Sequence, residues 1–150
     1  MGTPGDVQQI KSDLMSVFEC TDEGALVEYV GSKIDITRKP DGLASIKFTQ
    51  PVLVQKLRDA LGEQSGRMPK TPAVAGQVLV RGDGSGTLHG EDATRFKSQA
   101  ALMLYMSQWS RPETLNAVRG LTRQMSAPRI SHVKALEYAM RYIVATEDRG

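Results

Sequence analysis

Apolar residues recur at helical spacing near the start of the chain, where Asp6 and Gln9 also have the spacing of a capping box. The apolar positions that share one face are Val7, Ile10, Leu14, Val17 and Phe18. This pattern predicts an amphipathic helix over residues 7–19.

The next part of the chain has the composition of β-structure. Residues 25–36 and 43–49 are rich in β-branched and aromatic side chains, and the breaker run Arg-Lys-Pro-Asp-Gly at 38–42 lies between them. The pattern predicts a β-hairpin. A short helix is expected to follow, because Pro51 suits a first helical position and Gly62 a helix end.

Residues 62–91 differ from both flanks, since they contain seven glycines and two prolines. That composition predicts a mobile linker between two lobes. Beyond it the pattern is helical throughout, with helices expected over 93–108, from Pro112 onward and over 131–146. The sequence therefore predicts an α+β fold: an N-terminal lobe of a small helix and a β-hairpin (1–61), a linker (62–91) and a C-terminal three-helix bundle (92–150).

The formal net charge of +2 conceals an uneven distribution. Residues 1–66 carry seven basic and ten acidic side chains, whereas residues 67–150 carry twelve and seven. Within residues 95–141 eight basic side chains face only Glu113 and Glu137. A lobe of this kind is typical of a polyanion-binding surface, although a solvated helical surface gives the same pattern.

Few residues point to catalysis or to a bound metal. The acidic pairs lie at predicted turns or helix ends, whereas two-metal catalysis needs clustered carboxylates. These pairs are Asp22-Glu23, Glu91-Asp92 and Glu147-Asp148. Cys20, His89 and His132 are too few and too scattered for a zinc site, and the glycine-rich run at 82–86 lacks the Lys-Ser/Thr pair of a phosphate-binding loop. We therefore expect no metal, no cofactor and no catalysis by the chain itself.

The longest apolar run, residues 100–106, is far shorter than a membrane span requires. Cys20 is the single cysteine and has no partner for an internal disulfide. We expect an intracellular protein, cytoplasmic or nuclear, with no membrane partner.

Several short motifs occur in a fixed order along the chain. Tyr29-Val30-Gly31 is similar to a "Y-F-L-G" step, and Lys70-Thr71-Pro72 is similar to "S-T-P". The most specific segment runs from Phe96-Lys97-Ser98 through Tyr105 to Arg111-Pro112-Glu113 and is similar to "Y-R-S-x-x-G-x-L-x-Y-x-x-x-x-R-P-D". In this order the motifs resemble the C-terminal part of the reverse transcriptase of copia-type LTR retrotransposons.

The resemblance implies a fragment of an RNA-directed DNA polymerase that spans the palm end, the primer-grip hairpin, the thumb and the start of the connection. The family's Y-V-D-D catalytic strand would precede residue 1, and its ribonuclease H domain would follow Gly150. Such a fragment lacks both sets of catalytic carboxylates. Its expected partners are an RNA–DNA or DNA–DNA duplex, bound without sequence specificity, and the rest of the parent polymerase where that is present.

The resemblance also assigns a thumb helix that lies along the minor groove of the duplex, at Lys97, Ala101 and Tyr105. Their i, i+4, i+8 spacing places them on one helical face. Tyr105 is equally consistent with ordinary core packing. The family often has glycine at the position of Ala101, so approach to the duplex is expected to be less close here.

Six further residues complete the predicted binding set. Tyr29, Val30 and Gly31 correspond to the hairpin that holds the primer end, and Gly31 also fits an ordinary bulge. Arg111, Arg119 and Arg123 complete the set. Arg111 is free to pair with an acid or a phosphate. Arg119 and Arg123, four residues apart, are expected to face the duplex backbone, although an ordinary exposed surface explains them equally well.

An alternative reading is a domesticated helical module that binds another protein and has no role with nucleic acid. The apolar segment 100–106 would then be its exposed docking surface. Strong salt dependence of duplex affinity separates the two readings, because phosphate neutralisation releases counterions and apolar docking does not.

Overall fold

The structure is a computed structural model that describes residues 3–63 and 66–149, and it confirms the α+β class. Five α-helices and three strands make up the described part. They are α1 (Pro4–Val17), β1 (Glu28–Tyr29), β2 (Ser32–Arg38), β3 (Ala44–Thr49), α2 (Pro51–Leu61), α3 (Gly90–Trp109), α4 (Leu115–Thr122) and α5 (Ile130–Ala145), with a 3-10 turn at Pro112–Thr114 before α4.

Helix α1 begins three residues earlier than the capping-box pattern predicts. Thr3 is the N-cap, its hydroxyl accepts from the Asp6 N–H at 3.3 Å, and its own N–H donates to the Asp6 carboxylate. Pro4 occupies the first helical position, where its missing N–H leaves no bond unmade. No residue of α1 is buried, so its apolar face remains uncovered.

The three strands form an antiparallel sheet in the order β1-β2-β3. A turn at Val30-Gly31 interrupts the single strand predicted over 25–36, so the chain makes two successive hairpins. Val30 and Gly31 have φ angles of 51° and 72°, and both central residues of a tight type I′ hairpin turn require such left-handed values. Ile34, opposite Phe48, is buried.

The hydrophobic core lies among α2, α3, α4 and α5. Helix α2 packs chiefly against α5, and α3 packs against α4. Val54 and Leu57 of α2 belong to the same buried cluster as Phe96, Met103 and Ile143. Helix α2 is therefore part of the C-terminal core, although the sequence pattern grouped it with the N-terminal lobe.

The described part of segment 62–91 contains no helix or strand before α3. The second half of this segment nevertheless contacts the helical part of the chain. The Leu88 N–H donates to the Pro128 carbonyl at 2.8 Å, and the Ile130 N–H donates to the Gly86 carbonyl at 3.0 Å. The side chain of Leu79 packs against the core. These contacts fix residues 79–89 beside the N-terminal end of α5, where composition alone predicted a mobile linker.

Candidate nucleic-acid interface

Helix α3 presents the three predicted thumb residues on its outer face. Lys97 and Ala101 are exposed, and Tyr105 is half-buried. The opposite face of the helix lies in the core and carries Phe96, Ala100, Met103 and Met106. Because Ala101 has a short side chain, the middle of this face offers close approach to a flat or grooved partner. A long side chain would hold such a partner away from the helix.

Tyr105 connects this helical face to the β1–β2 turn. Its hydroxyl donates to the main-chain carbonyl of Val30 at 3.2 Å. Two of the residue groups predicted from the sequence, the thumb helix and the primer-grip-like hairpin, are therefore in direct contact. Tyr105 is neither plain core nor freely exposed, since its ring is partly covered and its polar end is held by a hydrogen bond.

The β1–β2 turn itself presents side chains to solvent. Tyr29 and Val30 are exposed, and Tyr29 pairs with Ser32 across the turn. Gly31 has a left-handed φ angle, and a Cβ at this position would meet no atom within 4 Å. Gly31 is therefore required by the turn geometry rather than by a close approach within the molecule.

Arg111 does not lie on this surface. It is fully buried, its Nη1 donates to the Ile143 carbonyl at 3.1 Å, and its Nη2 donates to the Thr146 hydroxyl. Its Nε pairs with the Glu113 carboxylate at 2.8 Å, and its guanidinium lies 5.6 Å from the centre of the Tyr142 ring. The sequence placed Arg111 among the phosphate-facing residues, but its guanidinium is enclosed and caps the C-terminal end of α5.

Arg119 is exposed on α4, and Arg123, four residues later, is exposed at the C-cap of that helix. The structure adds a third arginine to this region, because Arg81 Nη2 donates to the main-chain carbonyl of Arg123 at 3.2 Å. The two side chains belong to segments far apart in sequence, so no local pattern could have grouped Arg81 with α4. The guanidinium of Arg81 therefore lies beside the main chain at the C-terminal end of α4.

Polar residues beside the start of α5 form a hydrogen-bonded cluster, here called the Asp83 clamp, that joins Asp83 and Ser85 to Ser131 and is not a catalytic site. The hydroxyl of Ser131 donates to the Asp83 carboxylate, and both the hydroxyl and the N–H of Ser85 donate to the same carboxylate. These hydrogen bonds, chiefly the one from Ser131, lower the pKa of Asp83 to about 2.

The ring of His132 is engaged elsewhere, with the Arg129 N–H at 3.2 Å and the Val80 carbonyl at 3.2 Å. The neighbouring serine, histidine and aspartate are therefore not arranged as a proton relay.

The described residues, 3–63 and 66–149, contain neither a metal-binding cluster nor a membrane-spanning helix. Within those ranges no three His, Cys, Asp or Glu side chains are placed to hold a metal ion together. None of the described helices combines the length and apolar character needed to cross a bilayer.

The segment proposed as an apolar docking surface is mostly turned inward. Ala100, Met103 and Met106 are fully buried, and Leu102 and Leu104 are half-buried. Helical periodicity causes this, because a continuous apolar run places at least half of its residues on the core side.

Trp109 is the residue of this region whose exposure the sequence did not predict. It ends α3, half of its side chain is exposed, and its ring lies 6.4 Å from that of Tyr105 at an interplanar angle of 49°. Trp109 follows Tyr105 by four residues on the same helix, and this spacing could have predicted that the two side chains are neighbours.

A scan against protein-family models gave no match, and neither did searches of curated proteins and of solved structures. The resemblance to copia-type reverse transcriptases therefore stays a prediction made from the motifs.

Proposed function

We propose that this chain is a non-catalytic fragment of a copia-type reverse transcriptase that binds RNA–DNA or DNA–DNA duplexes without sequence specificity. The observation that carries the proposal is the contact between Tyr105 and Val30, which joins the outer face of α3 to the β1–β2 turn. A duplex lying along α3 would meet both elements. The role belongs inside the cell, in the cytoplasm or nucleus.

The chemistry of the α3 face suits recognition of a backbone rather than of bases. Lys97 supplies a mobile positive charge for phosphate, and Ala101 permits close approach to sugars. Tyr105 offers a flat surface for the shallow minor groove of an RNA-containing duplex. None of these contacts depends on base identity, which supports sequence-independent binding. Arg119 on α4 and Arg123 at its C-cap would add phosphate contacts, and Arg111 is excluded because it is buried.

Duplex binding is tested by fluorescence anisotropy with a labelled RNA–DNA hybrid at low and moderate salt. The binding variant combines Lys97→Glu, Arg119→Glu and Arg123→Glu. Its control changes three exposed lysines elsewhere, Lys39, Lys56 and Lys70, to glutamate. Both variants carry the same change in net charge, so they differ only in where the charge is altered.

We expect wild-type affinity to fall steeply with salt, by a logarithmic slope of about 0.9 for each neutralised phosphate. The binding variant should lose at least tenfold in affinity and flatten that slope, whereas the control should lose far less. Equal losses in the two variants would show only a general charge effect and would contradict the proposed interface. Absence of binding by the wild-type chain at low salt would contradict the proposed function.

A protein-docking role is the second candidate, and the exposed apolar face of α1 favours it. Val7, Ile10 and Leu14 on that face have no covering partner in the described part of the chain. Segment 100–106, the docking surface expected from the sequence, lies largely inside the core and is not available to a partner. Binding of a protein through α1 would be insensitive to the charge reversals on α3 and α4.

A further inference from the structure

Trp109 lies at the C-terminal end of the same α3 face and is the only tryptophan in the chain. Half of its side chain is exposed, and the neighbouring ring of Tyr105 is fixed by its hydrogen bond to Val30. The tilt of 49° between the two rings places them out of parallel. Tyr105 therefore does not stack face to face on Trp109, and the exposed part of the indole can meet another flat group.

The electrostatics at this end of α3 favour an uncharged group over a phosphate. The last turn of the helix carries no basic residue, and a helix C-terminus has a partial negative charge. Gln108, which precedes Trp109, is exposed and offers an amide for hydrogen bonds. An exposed aromatic ring with no basic residue in its helical turn suits the face of a nucleobase.

Geometry separates this position from the basic part of the helix. Lys97 and Trp109 are twelve residues apart on α3, a rise of about 18 Å. That distance corresponds to about five base pairs of duplex. A duplex whose phosphate backbone is held near Lys97 would thus place the end of the duplex, or an unpaired extension of one strand, at Trp109.

We propose that Trp109 is a stacking site for an unpaired nucleobase at the end of a duplex bound along α3. This inference rests on the proposed function, because Lys97 and its neighbours must hold the duplex. It adds a preference for duplexes with a single-stranded extension over blunt ones. A duplex interior cannot supply this contact, since its bases are already stacked on one another.

The test uses three DNAs with the same duplex part: a blunt one, one with a short unpaired thymidine tail, and one with an equally long tail of abasic residues. The abasic tail carries the same phosphates as the thymidine tail but has no bases. Emission from the single tryptophan reports stacking directly, and anisotropy of the labelled DNA gives the affinities. The variants are Trp109→Ala, Trp109→Phe and, as an exposed aromatic residue on another element, Phe18→Ala.

We expect the thymidine tail to quench the tryptophan emission and to bind about tenfold tighter than the blunt or abasic DNA. Trp109→Ala should remove that advantage without weakening binding of the blunt duplex. Trp109→Phe should keep most of it, and Phe18→Ala should keep all of it. Circular dichroism of each variant verifies that the helical content is unchanged.

Equal affinity for the thymidine and abasic tails, with no quenching, would overturn the inference about Trp109. If the blunt duplex still bound, the proposed function would not be affected. Loss of blunt-duplex binding in Trp109→Ala would also overturn it, because Trp109 would then contact the duplex itself. Failure of the wild-type chain to bind any of the three DNAs would overturn both proposals.

Discussion

Replacing Arg111 by alanine tests the assignment of this arginine as an internal support. The substitution removes the hydrogen bonds to the Ile143 carbonyl and the Thr146 hydroxyl, together with the ion pair to Glu113. It also removes the cation from beside the Tyr142 ring. The C-terminal end of α5 would lose the group that holds it against the turn before α4.

The magnitude follows from these contacts. Hydrogen bonds from a charged donor contribute about 1.5–3 kcal/mol each, and three of them are lost, of which the one to the partly exposed Glu113 carboxylate contributes least. The desolvation cost of the guanidinium disappears with it and offsets part of that loss. The carboxylate left behind, Glu113, is about one-third exposed and regains water, so it adds little. We expect the free energy of unfolding to fall by about 3 kcal/mol.

The assay is urea unfolding followed by far-ultraviolet circular dichroism. A loss of about 3 kcal/mol moves the midpoint by about 2 M urea for a domain of this size. Arg111→Met keeps the side-chain packing without the charge and should lose about half as much. If Arg111→Ala remained within about 1 kcal/mol of the wild type while duplex affinity fell tenfold, Arg111 would be a ligand contact and the reasoning would be refuted.

Two further predictions concern the turn and the Asp83 clamp. Val30→Asn should raise the free energy of unfolding by about 1 kcal/mol, because asparagine tolerates the left-handed φ of 51° better than a β-branched residue; a lower urea midpoint would contradict this. The folded-state pKa of Asp83, about 2, lies below the ordinary value of 3.8, so its stabilising contribution is complete above pH 4 and is lost as the pH falls towards 2. Asp83→Asn should therefore flatten the decline in urea midpoint between those values, and an unchanged decline would show that Ser131 and Ser85 do not hold the carboxylate.

Local signals predicted much of the fold. The helix after Gln50 was expected because Pro51 and Gly62 mark its ends, and α5 was expected from its single apolar stripe. The turn at Val30-Gly31 was missed, since β-branched and aromatic residues on both sides favour one continuous strand. Only the glycine indicated a break, and glycine within a strand is also typical of a bulge.

The candidate site was only partly accessible to the same reasoning. Helical spacing correctly grouped Lys97, Ala101 and Tyr105 on one face, because that relation is local. The contact between Tyr105 and Val30 and the burial of Arg111 both depend on segments that are distant in sequence. The local sequence Arg111-Pro112 is the same whether the guanidinium of Arg111 is exposed to solvent or buried against the end of another helix. Its surroundings are set by the tertiary structure, so composition could not reveal them.

The packing of α2 on α5 determines when the protein can fold during its synthesis. Helix α2 comes first among the core helices, and α5 comes last. At ribosomal rates of about 5–20 residues per second, Val54 and Leu57 wait several seconds for the helix that covers them. During that interval they are available to chaperones, and a chain interrupted before α5 would leave them permanently uncovered. Burial of the apolar face of α2 therefore has to wait until α5 has been synthesised.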